Sequence, residues 1–200
     1  LEPCPKRSPL LSRPRRPEAS DAVTIVVYTT GHGFGHATRD IVVVNALHTM
    51  RPDVRIVVRT MVAPWVFASS LSASVDLHPL DTDVGVVQLD SLRLDAHETA
   101  RRALEFYATF EERAAREAAL LRHEQARLVV SDIPPLAFAA AARAGVPSIA
   151  LSNFTWDWIY GGFPEFDRAA PGVIDQIEAA YSHAGLALRL PFHGGFAPMA

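Results

Sequence analysis

Lysine and cysteine are nearly absent from this sequence of 200 residues, and both absences exclude chemistry. Lys6 is the only lysine, so the remainder of the chain has no amine for a Schiff base or a P-loop. Pyridoxal phosphate chemistry and P-loop phosphoryl transfer are therefore excluded there. Cys4 is the only cysteine, which excludes a disulfide framework, a cysteine-ligated zinc site and a cysteine nucleophile in the folded part. This usage is typical of a reducing compartment, and we expect a cytoplasmic protein.

Long apolar runs and a secretory signal are also lacking. No stretch approaches the roughly 18 consecutive apolar residues of a transmembrane helix. Residues 1–20 contain five basic side chains and five prolines, but not the apolar core of about 7–15 residues that a signal peptide has. We therefore expect residues 1–20 to be a flexible leader. The first residue is leucine rather than methionine, from which we expect a truncated start.

The charge of the sequence is low and slightly negative. The formal net charge is -3, and residues 21–200 hold 14 basic against 20 acidic side chains. This balance gives no indication of a nucleic acid or an anionic membrane as partner. Apolar residues make up 49% and charged residues 20% of the sequence, which is typical of a globular protein.

Short β-branched runs alternate with helical patterns along residues 21–200. The predicted strands are 23–28, 54–60, 75–80, 128–130, 147–151 and 186–190. The predicted helices are 41–50, 62–71, 95–125, 135–144 and 171–183, and residues 83–94 are expected to be a long loop. The alternation predicts one Rossmann-like α/β domain, with a mostly parallel sheet and helices on both of its faces.

A glycine-rich turn follows the first predicted strand, at the edge where open α/β sheets bind ligands. Its glycines are spaced G-x-G-x-G, and His36 replaces the third glycine of the dinucleotide fingerprint G-x-G-x-x-G. Arg59 and Thr60 end the second strand, where the fingerprint would need an acidic residue. An arginine at that position can accept the 2′-phosphate of NADP, so a nicotinamide enzyme remains an alternative.

Two residues near strand ends are candidates for a base and for the carboxylate that orients it. His36 stands at the entrance of a helix, and Asp132 ends a central strand. If the two strands are neighbours, Asp132 can fix the tautomer of the imidazole and stabilise its protonated form. The alternatives are structural: a histidine of the turn, His32 or His36, caps the helix or bonds a loop, and Asp132 caps the next helix.

An aromatic segment, Asn153 to Tyr160, is the third candidate. Aromatic faces can stack on sugar rings, and Asn153 or Asp157 could bind hydroxyls, which favours an acceptor platform. The alternative is that Trp156 and Ile159 only pack a short helix onto the sheet. His183 and His193 have no neighbours at metal-ligand spacing, and no metal site is predicted.

Four motifs occur in order along residues 23–192, and together they carry a resemblance. They are Gly31–Arg39, Val129–Asp132, Ala144–Ser148 and Ser152–Tyr160. With them the sequence resembles GT-B glycosyltransferases and, more closely, the glycosyltransferase-like amino-terminal region of plant L-arabinokinases and their bacterial relatives. The resemblance implies that residues 21–200 are the amino-terminal, acceptor-side domain of a two-domain fold whose carboxyl-terminal domain is missing here.

The resemblance also implies roles for single residues. In inverting members a loop histidine deprotonates the acceptor hydroxyl and an aspartate supports it, roles that correspond to His36 and Asp132. The implied reaction is sugar (hexosyl) transfer from a nucleotide-diphosphate sugar to an unknown acceptor, with no metal and no other cofactor. The residues expected to bind substrate are Gly31, His32, Gly33, Phe34, Gly35, Thr38, Arg39, Asn153, Trp156 and Asp157.

Two alternatives to transfer remain open at this point. One is a UDP-sugar 2-epimerase, which shares the two-domain fold. The other is a non-catalytic sugar-binding or regulatory domain fused to a sugar kinase. Under each of these hypotheses we expect the present chain alone to be a poor catalyst, because half of the cleft is absent from it.

Overall fold

Residues 23–199 are described by the structure, a computed structural model. The predicted leader, residues 1–20, lies outside the described residues. The strands are β1 (Thr24–Thr29), β2 (Arg55–Thr60), β3 (Val75–Pro79), β4 (Ala126–Asp132), β5 (Ser148–Ser152) and β6 (Leu186–Arg189). The helices are α1 (Phe34–Met50), α2 (Pro64–Ala68), α3 (Ala96–Tyr107), α4 (Phe110–His123), α5 (Pro135–Ala144), α6 (Trp156–Gly161), α7 (Glu165–Ala169) and α8 (Val173–Tyr181).

The strands form one parallel sheet in the order β3-β2-β1-β4-β5-β6. The strand order reverses next to β1: β2 and β3 lie on one side of it, and β4, β5 and β6 lie on the other. Such a switch point opens a crevice at the carboxyl ends of the strands, where ligands of α/β proteins bind. The predicted α/β class with a Rossmann-like parallel sheet is confirmed.

Alternate residues of β1 point to opposite faces of the sheet, and each face has its own helices. Ile25 and Val27 pack with residues of α1 and α2, whereas Val26 and Tyr28 pack with residues of α4 and α5. All six residues of β1 are buried, which explains why its sequence is a continuous β-branched run rather than an alternating one. The predicted placement of helices on both faces is confirmed.

The first helix is longer than the sequence predicts. α1 begins at Phe34 rather than at residue 41, so it takes in most of the glycine-rich segment. Gly33 precedes the helix with φ 81° and ψ 157°, a conformation that strongly favours glycine. The glycines that indicated a turn therefore serve to start a helix directly after the end of β1.

The helix predicted over 95–125 is two helices in the structure. Thr109 leaves the helical conformation, with φ -114° and ψ 16°, and separates α3 from α4. The break lets α3 pack against α7 while α4 packs against α5. Three aromatic rings fill the junction: Phe106, Tyr107 and Phe110. The apolar face at three- and four-residue steps is real, but tertiary packing divides it.

Residues 83–94 lie outside the helices and strands, as predicted, with one isolated bridge between Gln88 and Leu94. The short helix expected around Trp156 is α6, while α7 has no counterpart among the predicted elements. Within residues 23–199, no helix combines the length and the apolar character needed to cross a bilayer.

The arginine considered for NADP is not available to a nucleotide. Arg59 is 4% exposed, and its side chain contacts two acidic residues in and directly after α4. Its Nη2 donates to Glu124 at 2.8 Å, and its Nε lies 3.3 Å from Glu117. Glu117 also accepts a 2.8 Å hydrogen bond from the Tyr28 hydroxyl. The guanidinium is therefore part of a buried ion network, which contradicts its suggested role in binding the 2′-phosphate of NADP.

Candidate active site

The predicted base and the carboxylate predicted to orient it meet at the carboxyl ends of β1 and β4. These strands are neighbours, and their register places Thr29 opposite Asp132. The Thr30 N–H donates to the Asp132 carbonyl oxygen at 3.0 Å, which holds the glycine-rich turn beside the end of β4. α1 starts directly after this turn, so His36 lies in its first turn with the imidazole against Asp132.

The Asp132 carboxylate is fully buried and is contacted by two side chains of α1. His36 Nδ1 lies 2.9 Å from Asp132 Oδ1. Arg39 Nε donates to Oδ2 at 2.7 Å and Nη2 donates to Oδ1 at 2.6 Å, a bidentate ion pair. His36 and Arg39 are three residues apart, so they share one face of the helix. The cap position of α5 belongs to Pro134, and the alternative role of Asp132 as a cap is wrong.

The proton of the His36 ring has two arrangements that fit this geometry. Nδ1 lies 2.9 Å from Asp132 Oδ1, an acceptor, and also 2.9 Å from Arg39 Nη2, a donor. With the proton on Nδ1, the ring donates to Asp132 and Nε2 is left free to accept a proton. With the proton on Nε2 instead, Nδ1 accepts from Arg39 Nη2, whose other hydrogen bonds Asp132 Oδ1. Only the arrangement with Nδ1–H leaves Nε2 able to act as a base.

A second carboxyl group, Asp40, lies behind this pair. It is 2% exposed, and the Thr29 hydroxyl donates to it at 2.5 Å. Burial raises the pKa of Asp40 well above its usual value and the Asp132 carboxylate raises it further, whereas the Thr29 hydrogen bond and the charge of Arg39 lower it. A neutral Asp40 leaves one negative charge, on Asp132, beside the one positive charge of Arg39. The buried cluster is then electrically balanced.

Arg39 also connects the pair to the aromatic segment that follows β5. Its Nη1 donates to Asn153 Oδ1 at 3.1 Å, so one guanidinium bridges the ends of β4 and β5. Trp156 is 4% exposed and stacks on Tyr160, with 5.5 Å between ring centroids. Asp157 is buried, and its Oδ1 has no hydrogen-bond partner among residues 23–199. Trp156 thus packs α6 into the core, as the structural alternative predicted, and it also lines the cavity in front of His36.

An apolar cavity of about 520 Å³ opens in front of His36. Its polar lining is confined to the two histidines of the turn and Gln88. The apolar part of its wall consists of Val86, Leu94, Phe154, Trp156, Ile159 and Phe163. The Phe154 ring meets the His36 ring edge-on at 5.3 Å. We call this space the apolar cavity; its size is within the roughly 300–1,000 Å³ of small-molecule sites.

His32, in the same turn, pairs with a second carboxylate, Asp83, which was not among the predicted site residues. His32 Nε2 lies 3.8 Å from Oδ1 of Asp83, which is buried. Asp83 also accepts 2.8 Å hydrogen bonds from the Thr30 hydroxyl and from the indole N–H of Trp156. Burial raises the pKa of Asp83, while His32 and these two hydrogen bonds lower it. Its position four residues after β3, at the same sheet edge, was the available signal.

His32 separates the apolar cavity from another cavity of about 420 Å³ at the carboxyl ends of β1, β2 and β3. The side chains that line this second space include both signs of charge. They are His32, Asp81, Asp83, Arg102, Glu105 and Arg113. We call it the polar cavity.

The remaining residues of the turn are exposed on the loop and on the first turn of α1. Phe34 is 59% exposed and contacts Trp65 at 5.6 Å between ring centroids. Thr38 donates to the carbonyl oxygen of Gly35 at 3.0 Å. Gly31, Gly33 and Gly35 are likewise exposed. In the part of the chain that the structure describes, no three His, Cys, Asp or Glu side chains are grouped to hold a metal ion.

Comparison with known proteins agrees with the motifs. Over 187 residues the chain is 36% identical to an L-arabinokinase of Arabidopsis thaliana, a match that covers 90% of this chain and 17% of that protein. The predicted resemblance to plant L-arabinokinases is confirmed. The chain spans only about a sixth of the length of this relative. No family model matches the chain.

The chain is also similar to several solved structures. UGT2 of Phytolacca americana, complexed with UDP-2fluoro-glucose and pterostilbene, is 13% identical with a TM-score of 0.49, over 84% of this chain and 47% of that one. MurG of Acinetobacter baumannii is 11% identical with a TM-score of 0.47, over 88% and 44%. A putative UDP-N-acetylglucosamine 2-epimerase of Listeria monocytogenes is 12% identical with a TM-score of 0.45, over 85% and 39%. Likeness of this degree carries no argument about the reaction.

Proposed function

We propose that this domain serves sugar transfer in the intact protein. A sugar moves from a nucleotide-diphosphate donor, held by a carboxyl-terminal domain, to a hydroxyl of an acceptor in the apolar cavity. His36 accepts the hydroxyl proton, and Asp132 orients the imidazole. The observation that carries the proposal is the 2.9 Å contact between His36 Nδ1 and the buried Asp132, at the wall of the apolar cavity.

The proposed reaction is a single displacement. The acceptor oxygen attacks the anomeric carbon while the bond from that carbon to the diphosphate oxygen breaks, and the diphosphate leaves with the electron pair. The proton of the acceptor hydroxyl moves to His36 Nε2, which the Nδ1–H to Asp132 hydrogen bond leaves free. Attack from the face opposite the leaving group inverts the configuration. The apolar walls strengthen the electrostatic effect of Asp132 by excluding water.

The residues predicted to contact substrate have three different roles in this proposal. The exposed residues of the turn would line the cleft between the two domains: Gly31, His32, Gly33, Phe34, Gly35 and Thr38. Arg39 and Asn153 would hold Asp132 and the end of β5 in place, since they bond each other. Trp156 and Asp157 are buried, so they would act through the shape of the wall.

Arg39 favours a second function, sugar binding without transfer. Its Nη2 lies 2.9 Å from His36 Nδ1, so a positive charge opposes the protonated imidazole that a base must become. It also shares the carboxylate that would stabilise that imidazolium. The similarity to a much longer L-arabinokinase fits a regulatory domain joined to a sugar kinase. In that case the His36–Asp132 pair would be retained for binding alone.

Activity of the intact protein with UDP-sugars and a panel of hydroxyl acceptors tests these functions. Release of UDP and formation of glycosylated product are measured together. His36→Ala is expected to lower kcat/KM by about 10²–10⁴, the usual contribution of a general base. Asp132→Asn is expected to lower it by about 10² or more, because the amide favours the wrong tautomer. His48→Ala, in the last turn of the same helix, is the control and should keep full activity.

Three outcomes separate the hypotheses. Transfer that survives His36→Ala contradicts the proposed base. Conversion of a UDP-sugar with no acceptor present identifies a 2-epimerase instead. Sugar binding with neither transfer nor conversion identifies the regulatory function that Arg39 favours.

A further inference from the structure

The polar cavity shares Gly31 and His32 with the proposed cleft but contains neither His36 nor Asp132, and it has the features of a ligand site of its own. Its volume of about 420 Å³ lies within the roughly 300–1,000 Å³ of small-molecule pockets. It opens at the carboxyl ends of β1, β2 and β3, the edge at which α/β sheets bind ligands. We propose that this cavity binds a neutral polyhydroxyl ligand, a sugar or a similar polyol, with His32 as part of its wall.

The charges that line the polar cavity select for a neutral ligand. Arg102 and Arg113 provide guanidinium donors, and Asp81 and Glu105 provide carboxylate acceptors. An anion such as phosphate would be repelled by the carboxylates, and a cation by the guanidinium groups. A polyol avoids both penalties, because each hydroxyl can donate to a carboxylate and accept from a guanidinium.

Two of these four charged groups are left for a ligand. Arg113 lies over the Phe106 ring at 4.4 Å and bonds only the Thr109 hydroxyl, with no acidic partner among residues 23–199. Asp81 likewise has no side-chain partner in the described part of the chain. Arg102 and Glu105, in contrast, already form ion pairs along α3. We therefore expect Asp81 and Arg113 to bind the ligand hydroxyls most directly.

His32 is fixed at the boundary of the polar cavity although its side chain is 41% exposed. Its ring lies directly on Gly85: a Cβ at that position would stand 2.1 Å from His32 Cγ. Gly85 also has φ +66°, so the lack of space and the backbone conformation both require glycine there. Asp83 Oδ1 lies 3.8 Å from His32 Nε2. An exposed imidazole held in this way is already oriented before a ligand arrives, which lowers the entropic cost of binding.

Binding of free sugars to the 200-residue chain tests the proposal directly. The probes are L-arabinose, D-xylose, D-glucose and D-galactose, with inorganic phosphate as the charged comparison. NMR spectra of the ¹⁵N-labelled chain should show saturable shifts at residues 81–84 and at the His32 ring for at least one sugar. Phosphate should leave the same signals in place. A dissociation constant in about the millimolar range is expected for so small a ligand.

Variants then locate the site. Arg113→Met should weaken the sugar tenfold or more, whereas Arg116→Met, one turn later and exposed, should leave it unchanged. Gly85→Ala, which displaces the His32 ring, should also weaken binding. Each variant must keep the dispersed spectrum of the wild-type fold. The proposal is overturned if no sugar gives saturable shifts, if phosphate competes for the same residues, or if the shifts map to the apolar cavity. Since no transfer is measured, these results leave the proposed base untouched.

Discussion

The two histidine–carboxylate pairs of the glycine-rich turn differ in how their carboxylates are satisfied. Asp132 faces the guanidinium of Arg39, which donates to both of its oxygens. Asp83 has two neutral donors instead, the Thr30 hydroxyl and the Trp156 indole. The first carboxylate is therefore paired with a cation, whereas the second accepts hydrogen bonds from neutral donors only. Two pairs that look alike in composition thus have different electrostatics.

The two imidazoles also differ, in their exposure and in their distance from the carboxylate. The His36 side chain is 13% exposed and contacts its carboxylate at 2.9 Å. The His32 side chain is 41% exposed and lies 3.8 Å from its own, beyond hydrogen-bond distance. The shorter histidine–carboxylate distance is therefore found at Asp132, the carboxylate that also binds Arg39. The His36 pair is therefore held at hydrogen-bond distance, whereas the His32 imidazole is open to solvent, as the proposed ligand site requires.

The largest effect should come from removing the carboxylates. Asp132→Ala leaves the partly buried guanidinium of Arg39 unpaired and should lower the free energy of unfolding by about 3 kcal/mol. Asp83→Ala leaves two neutral donors, on Thr30 and Trp156, unpaired and should cost about 2 kcal/mol. Urea denaturation of the chain, with the slope checked for two-state behaviour, measures both values.

The amide variants are the matched controls for this comparison. Asp132→Asn keeps the volume of the side chain but removes its charge, so it should retain most of the destabilisation. Asp83→Asn still offers one carbonyl oxygen to its neutral donors, so it should recover more of the loss than the other amide does. A larger cost for Asp83→Ala than for Asp132→Ala would contradict the electrostatic distinction between the pairs.

The central strands β1 and β2 were predictable because they are buried on both faces. Continuous β-branched runs such as residues 23–28 and 54–60 have no other stable place in an α/β domain. The helix boundaries were harder. The start of α1 depends on one glycine conformation at Gly33, and the break at Thr109 depends on which helices pack against α3 and α4. Neither is encoded in local periodicity.

The structure brings His36 and Asp132 together, and this proximity was predictable because each directly follows a predicted strand or turn. Their roles in proton transfer stay a prediction. Arg39 was expected to bind substrate, but its guanidinium is bound to Asp132 in the structure. Asp40 and Asp83 were missed, because only burial distinguishes them from ordinary acidic residues of a helix and a loop. Burial across the sheet edge arises from long-range contacts that a sequence pattern does not display.

An intermediate effect is expected from pH, through two buried carboxyl groups: Asp40, beside the His36–Asp132 pair, and Asp83, the partner of His32. Asp40 has a pKa raised well above its usual value by burial, so the folded chain holds its proton where the unfolded chain has lost it. The stability that this proton contributes is complete below about pH 4 and is lost as the pH rises through the raised pKa. Asp40→Asn stays neutral throughout, so its stability relative to wild-type should increase as the pH rises above about 4.

Asp83→Asn provides the comparison for this pH effect. Burial raises the pKa of Asp83 too, but His32 and two hydrogen bonds lower it, so its change with pH should be smaller. Urea denaturation at about one-unit pH intervals measures the difference between each variant and wild-type, and each pKa unit corresponds to about 1.4 kcal/mol. Equal pH dependence of the two variants would mean that the two carboxyls share one environment.

The smallest effect should come from removing the imidazoles themselves. His36→Ala deletes a mostly buried ring that contacts Asp132 and the Phe154 edge, and it should lower the free energy of unfolding by about 1 kcal/mol. His32→Ala removes a ring that is 41% exposed and makes no short contact with Asp83, so about 0.5 kcal/mol or less is expected. Urea denaturation of both variants, with His123→Ala as an exposed helix-end control, decides the order. If His32→Ala proves the costlier change, His32 stabilises the fold, and its positioning on Gly85 would no longer point to a ligand.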